Sequence, residues 1–176
     1  MKKLFTTLTT TSILLFSILT VGQTKFNLQK AGNIFDITIP DYMIRTVELN
    51  DVATVQYKNS VKDIYTIVIE DSKEELKIAD IFYSSLQEFQ EEFEKDFIKD
   101  EKNRTSSKPL FTSKNNINFV EYDVSYYDEE LKIEVYYLVG IVETKSHFYK
   151  VLSWTNLSNK ETFKTDFQKI LYSLKQ

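Results

Sequence analysis

The chain has no cysteine, one histidine, three glycines and two prolines among its 176 residues. Without cysteine there are no disulfide staples, no thiolate nucleophile and no site for lipid attachment. A single histidine, His147, excludes a histidine-rich metal site, and any histidine-based triad must use it. Gly22, Gly32 and Gly140 are too scattered to form a phosphate-cradling loop. There is no long basic run. Beyond residue 22, twenty Lys and Arg stand against 26 Asp and Glu, a net charge of −6. That balance argues against a nucleic-acid partner and supplies no attraction to an anionic membrane surface.

Residues 1–22 read as a secretory leader. Lys2 and Lys3 supply a positive start, Ile13 to Leu19 a short apolar run, and Thr20 and Gly22 the small residues before cleavage at Gln23. The apolar run is short for a bilayer span; an uncleaved N-terminal anchor is the competing reading. The mature chain, 23–176, is expected to be a single soluble domain in the periplasm or outside the cell. At that length a chain buries about 70% of its unfolded surface without covalent staples.

The last thirty residues organise the rest. Phe148, Leu152 and Trp154 share one face of a strand by period two, and Tyr149 and Val151 take the other. A strand apolar on both faces is covered on both faces. Ser158 and Glu161 have the spacing of a capping box. Phe163, Phe167, Ile170, Leu171 and Leu174 then form one helical stripe.

Upstream, Phe26 and Leu28 begin a short edge strand, and Phe35, Ile37 and Ile39 alternate until Pro40 ends a second one. Val52 to Tyr57 and Ile64 to Ile69 are further strands, the latter apolar on both faces. Ser72 and Glu75 form another capping box. Phe82, Leu86, Phe89, Phe93 and Phe97 follow as a helical stripe. The helix either runs unbroken from Ser72 or starts afresh near Ser84, capped by Ser85 and Glu88. The second is favoured, because Ile78 and Ile81 fit the stripe poorly. Lys99 to Lys108 is charged and serine-rich and reads as a mobile loop. Two long strands follow: Val120, Tyr122, Val124 and Tyr126 share a face of the first, and Ile133, Val135, Tyr137, Val139 and Ile141 share a face of the second. Asp128, Glu129 and Glu130 turn between them. Six or seven strands joined by short turns, with one helix mid-chain and one at the end, predict the α+β class: a mainly antiparallel sheet in a three-layer α/β/α sandwich with a helix on each face.

Three segments carry a family resemblance. IFDITIPDYM (34–43) resembles the opening strand of the Mog1/PsbP-like domains. YTIVIEDSKEEL (65–76) resembles their middle strand running toward the first helix. FYKVLSWTNLSNKETFKTDFQKILYSLK (148–175) is similar to their closing signature of aromatic strand, polar turn and helix. The resemblance implies a helix-sandwiched antiparallel sheet. Photosynthetic members of the family are extrinsic subunits that support the oxygen-evolving metal cluster, and nuclear members bind a small GTPase. No functional motif of either branch matches here, and the leader excludes the nuclear setting. A non-catalytic accessory or binding domain is what the resemblance implies.

Among chemistry-bearing residues, His147 stands at a strand start and reads as a surface loop histidine. Asp123, Asp128, Glu129, Glu130 and Glu134 make an acidic hairpin, without the ordered spacing and glycine of a calcium loop. Asn103 and Asn156 open glycosylation sequons that matter only in a eukaryotic secretory route. No catalytic, cofactor or metal residue is assigned and no cofactor is expected. The leading expectation is an exported binding or accessory module that recognises a protein or envelope component. The alternatives are a hydrolase using His147 with a carboxylate or hydroxyl, and a module stabilised by calcium at the 123–134 hairpin.

Overall fold

The computed structural model describes residues 24–32 and 34–176; the expected leader lies outside them. In chain order the strands are β1 (Phe26–Ala31), β2 (Phe35–Pro40), β3 (Ile44–Thr46), β4 (Val55–Asn59), β5 (Ile64–Ser72), β6 (Lys102–Ser106), β7 (Leu110–Lys114), β8 (Ile117–Asp128), β9 (Ile133–Glu143) and β10 (His147–Asn156). The helices are α1 (Lys73–Ile78), α2 (Leu86–Asp96) and α3 (Lys160–Tyr172). Eight strands form one antiparallel sheet in the order β3-β4-β5-β10-β9-β8-β6, with β7 also on β8. The doubly apolar β10 lies mid-sheet, Trp154 facing Tyr65 of β5 on one side and Tyr137 of β9 on the other.

The two faces carry separate cores. On one, Phe163, Phe167, Ile170 and Leu171 of α3 cover Tyr136, Leu138, Tyr149 and Val151. On the other, Leu86 and Phe89 of α2 cover Val120, Tyr122, Val139, Ile141, Phe148 and Leu152. Phe89 and Phe148 stack with centroids 4.3 Å apart. The alternation expected along β8, β9 and β10 is the alternation observed, and the sandwich is as predicted.

Several expectations change in detail. β1 and β2 pair only with each other and stand apart from the large sheet. They share the α3 layer, burying Phe35, Ile37 and Ile39. The chain end ties them down: Asp36 N donates to Lys175 O at 2.8 Å, and Thr38 N to Ser173 Oγ at 2.8 Å. Period two in a sequence marks a buried strand face without saying which sheet it belongs to.

The expected loop at 99–108 contains β6, and β7 follows it. Both lie along the outer edge of β8, β7 against Ile117 to Glu121 and β6 against Val124 to Tyr127. Their residues are nearly all exposed. An edge strand held by ladder hydrogen bonds alone leaves no apolar alternation to read.

The mid-chain helix starts afresh, as favoured, but both capping serines are used. Ser72 Oγ accepts from Glu75 N at 3.4 Å and opens the short α1. Ser85 Oγ accepts from Glu88 N at 3.2 Å and opens α2, while Glu88 Oε2 reaches back to Ser84 N at 2.6 Å. Phe82 precedes α2 and is 65% exposed, so it does not belong to the buried stripe. The box expected at Ser158 and Glu161 does not form. Asn156 Oδ1 accepts from Ser158 N at 3.2 Å, and a 3-10 turn (Leu157–Asn159) intervenes before α3. Asn156 Oδ1 also accepts from the Ser158 hydroxyl at 3.0 Å, and the helix starts one residue later than expected, at Lys160, with no side-chain cap.

Candidate functional site

His147 is the first residue of β10 and is half-buried. Its Nδ1 lies 2.9 Å from Ser146 Oγ and 3.0 Å from Gln176 Nε2, and its ring stacks on Tyr149 with centroids 5.6 Å apart. Ser146 Oγ in turn accepts from Gln176 Nε2 at 2.7 Å. Glu70 lies on the same face of the neighbouring strand, opposite Tyr149. Burial raises the Glu70 carboxyl above its ordinary range, against the opposing pull of His147. Burial, with the Glu70 charge, also pushes the Tyr149 hydroxyl up to about 12. A hydroxyl, an imidazole and a carboxyl are therefore neighbours at this corner. Ser146 is exposed, and Gln176 occupies the serine hydroxyl and the imidazole Nδ1 together. Among the described residues, His147 lines none of the clefts below.

The acidic hairpin does not converge. Asp123 lies 2.9 Å from Lys160 Nζ and 2.7 Å from Lys164 Nζ, and it accepts from Tyr136 Oη at 2.8 Å. Burial works to raise its carboxyl, but these three donors outweigh burial and hold it below the ordinary range. Asp128 Oδ1 caps the turn, accepting from Glu130 N at 2.9 Å and Leu131 N at 2.8 Å. Glu129 pairs with Lys102 at 2.8 Å. Among the described residues, no three His, Cys, Asp or Glu side chains group as a metal site.

The surface feature that does stand out lies between α1 and α2. Ile78, Ile81 and Phe82 are 78%, 43% and 65% exposed on consecutive turns of chain. Asp80 between them holds φ at +57° and ends α1 in a left-handed turn, with Ile81 N donating back to Leu76 O at 2.9 Å. Clefts open on both sides of this ridge. One, of about 430 Å³, runs between α1 and α2 over Tyr83, Phe89, Phe93 and Phe97. The other, of about 570 Å³, lies between the start of α2 and the β7–β8 edge, with the 45%-exposed Phe111 in its wall. A small hollow of about 200 Å³ under Phe82 adjoins the first, sharing Leu76 and Tyr83 with it. Exposed apolar groups beside concave surface are what a docking face presents.

Sequence reasoning used Ile78 and Ile81 only to break a helix and placed Phe82 in the core. For the two isoleucines the available signal was the same misfit. An apolar residue off the buried stripe of its helix points at solvent.

No protein-family model and no curated protein matches the sequence. Solved structures do match. The solution structure of cyanobacterial PsbP (CyanoP) from Synechocystis sp. PCC 6803 aligns over 92% of this chain and 98% of its own, with a TM-score of 0.59 at 13% identity. The fold is PsbP-like. The crystal structure of LpqN, involved in cell envelope biogenesis of Mycobacterium tuberculosis, aligns over 86% of this chain and 90% of its own, with a TM-score of 0.55 at 11% identity. At these identities the likeness to PsbP-like proteins is one of fold. Among the described residues, no helix of this chain is long and apolar enough to cross a membrane.

Proposed function

We propose that this PsbP-like chain is an exported, non-catalytic accessory module that binds a protein or envelope component. The exposed ridge of Ile78, Ile81 and Phe82 between clefts carries the reading, because it leaves apolar surface uncovered where a partner can bury it. The leader pattern of residues 1–22 supports export, and so does the fold shared with LpqN, a protein of cell envelope biogenesis. Mass spectrometry of the exported protein is expected to find a mature start near Gln23; an intact Met1 in a membrane fraction refutes cleavage to a soluble mature chain.

A hydrolase using His147 is the second reading, favoured by the Ser146 hydroxyl at 2.9 Å and the nearby Glu70. An esterase, glycosidase and peptidase screen of the mature chain separates the two. The accessory reading expects no turnover and an unaltered fold in His147→Ala. Turnover that falls about 100-fold or more in that variant, as on loss of a general base, overturns it.

A further inference from the structure

The excess of acidic residues is concentrated in one stretch of the chain. Residues 71–96, which run from the end of β5 through α1 and α2, hold nine acids and three lysines, a net −6. The mature chain totals −6, so everything outside this segment sums to zero. The same segment carries Ile78, Ile81 and Phe82, the exposed ridge described above. Asp71, Glu92 and Asp96 rim its aromatic cleft. Apolar contact area and charge of one sign therefore coincide on the α1–α2 face.

From this coincidence we infer that the α1–α2 face docks a basic, amphipathic segment of a partner protein. The partner's apolar side chains cover Ile78, Ile81 and Phe82, and its Lys or Arg side chains enter the cleft among the carboxylates. The chain's own lysines already show that these rings accept cations. Lys73 Nζ stands 4.6 Å above the Phe148 ring, and Lys150 Nζ 5.6 Å from the Phe89 ring while it pairs with Asp71 at 2.6 Å. On the rim, Glu92 and Asp96 are held only by Lys95 and Lys99, each one turn along and exposed. Such surface pairs contribute little and exchange readily for an incoming guanidinium or ammonium. The sign of the face decides against the other occupants of an apolar patch. Anionic lipid and nucleic acid are both repelled by a face built from a segment of net −6.

The inference rests on the binding-module reading, and the test separates the two. A photo-crosslinking residue is placed at Phe82 in the full chain, in the cells that produce it, and at Leu28 and Val61 as exposed controls away from this face. The expected result is one protein captured at position 82 through a segment rich in Lys or Arg and apolar residues. A synthetic peptide of that segment is then titrated against the purified mature chain. Binding should weaken about tenfold or more in Ile78→Ser and in Phe82→Ser, as on loss of an interface hot spot, and should also weaken as salt rises. Both residues are exposed, so neither variant threatens the fold. Capture of a protein at position 28 or 61 alone keeps the binding-module reading and overturns this one. Capture at 82 of a lipid, a glycan, a second copy of this chain or an acidic segment also overturns it. No capture at any position overturns both.

Discussion

Replacing Gly140 with alanine inserts a single methyl group between β9 and α3. Gly140 faces the α3 side of the sheet, in step with Tyr136, Leu138 and Val142. A Cβ built there would lie 2.8 Å from Leu171 Cδ2 and 3.0 Å from Leu171 Cγ, and nearer still to Cδ1. Contacts that short force Leu171 or the whole helix to move, and Leu171 is only 1% exposed, with little room to turn. Overpacking of a filled core costs about 1–3 kcal/mol. The alanine returns about 0.4–1 kcal/mol by narrowing the unfolded ensemble. The net expectation is a loss of about 1–2 kcal/mol, read as a shift in urea midpoint at constant slope. Leu171→Ala alone should cost about 2–5 kcal/mol, because it leaves a cavity. In the double variant the new methyl enters that cavity, so the combined loss should fall short of the sum by about 0.5–3 kcal/mol. A neutral Gly140→Ala, or strictly additive losses, would refute the view that glycine at this position sets the distance between helix and sheet.

Phe89→Ala and Phe167→Ala, on opposite faces, should each cost about 3–5 kcal/mol in the same unfolding assay; a loss below about 1 kcal/mol for either one contradicts its place in a core. Asp123→Asn should cost about 1–2 kcal/mol at neutral pH, the value for hydrogen bonds to a charged group discounted for partial exposure. The Asp123 carboxyl is held low in the fold, so its stabilisation is complete above the unfolded pKa of about 4 and is lost as pH falls through the lower folded value. The difference between wild type and Asp123→Asn should therefore shrink below about pH 4, and a difference that persists at lower pH refutes the assignment. Glu70 has the opposite sign: burial raises its carboxyl, so its ionisation costs stability at neutral pH. Glu70→Gln should raise the melting temperature at pH 7 and leave it unchanged below about pH 4; no gain at pH 7 contradicts an ionised, poorly solvated Glu70.

Sequence patterning was most informative where both faces of a strand are buried. Tyr149 and Val151 against Phe148 and Leu152 told of a central strand with a layer on each side, and β10 is that strand. It failed at polar edges. The residues of β6 and β7 gain nothing from burial, so Lys102 to Ser106 looks the same in sequence as a loop. It also misplaced Phe82, whose spacing fits the α2 stripe while the chain turns away before the helix begins. The docking face was half legible. The crowding of acids into 71–96 is visible in the sequence, but the clefts beside the ridge exist only once α1 and α2 are set against the sheet.

The position of β10 has a consequence for the order of assembly. It is the last strand of the chain and separates β5 from β9, so Ser72 waits for His147 before its ladder is complete. The strands made first have no central partner until nearly the whole chain exists, and such distant pairings form slowly. A ribosome delivering the chain from its N-terminus therefore releases segments that stay open until β10 arrives. That delay leaves β5 and β9 without their shared neighbour for most of the synthesis, so the two halves of the large sheet join only in its final step.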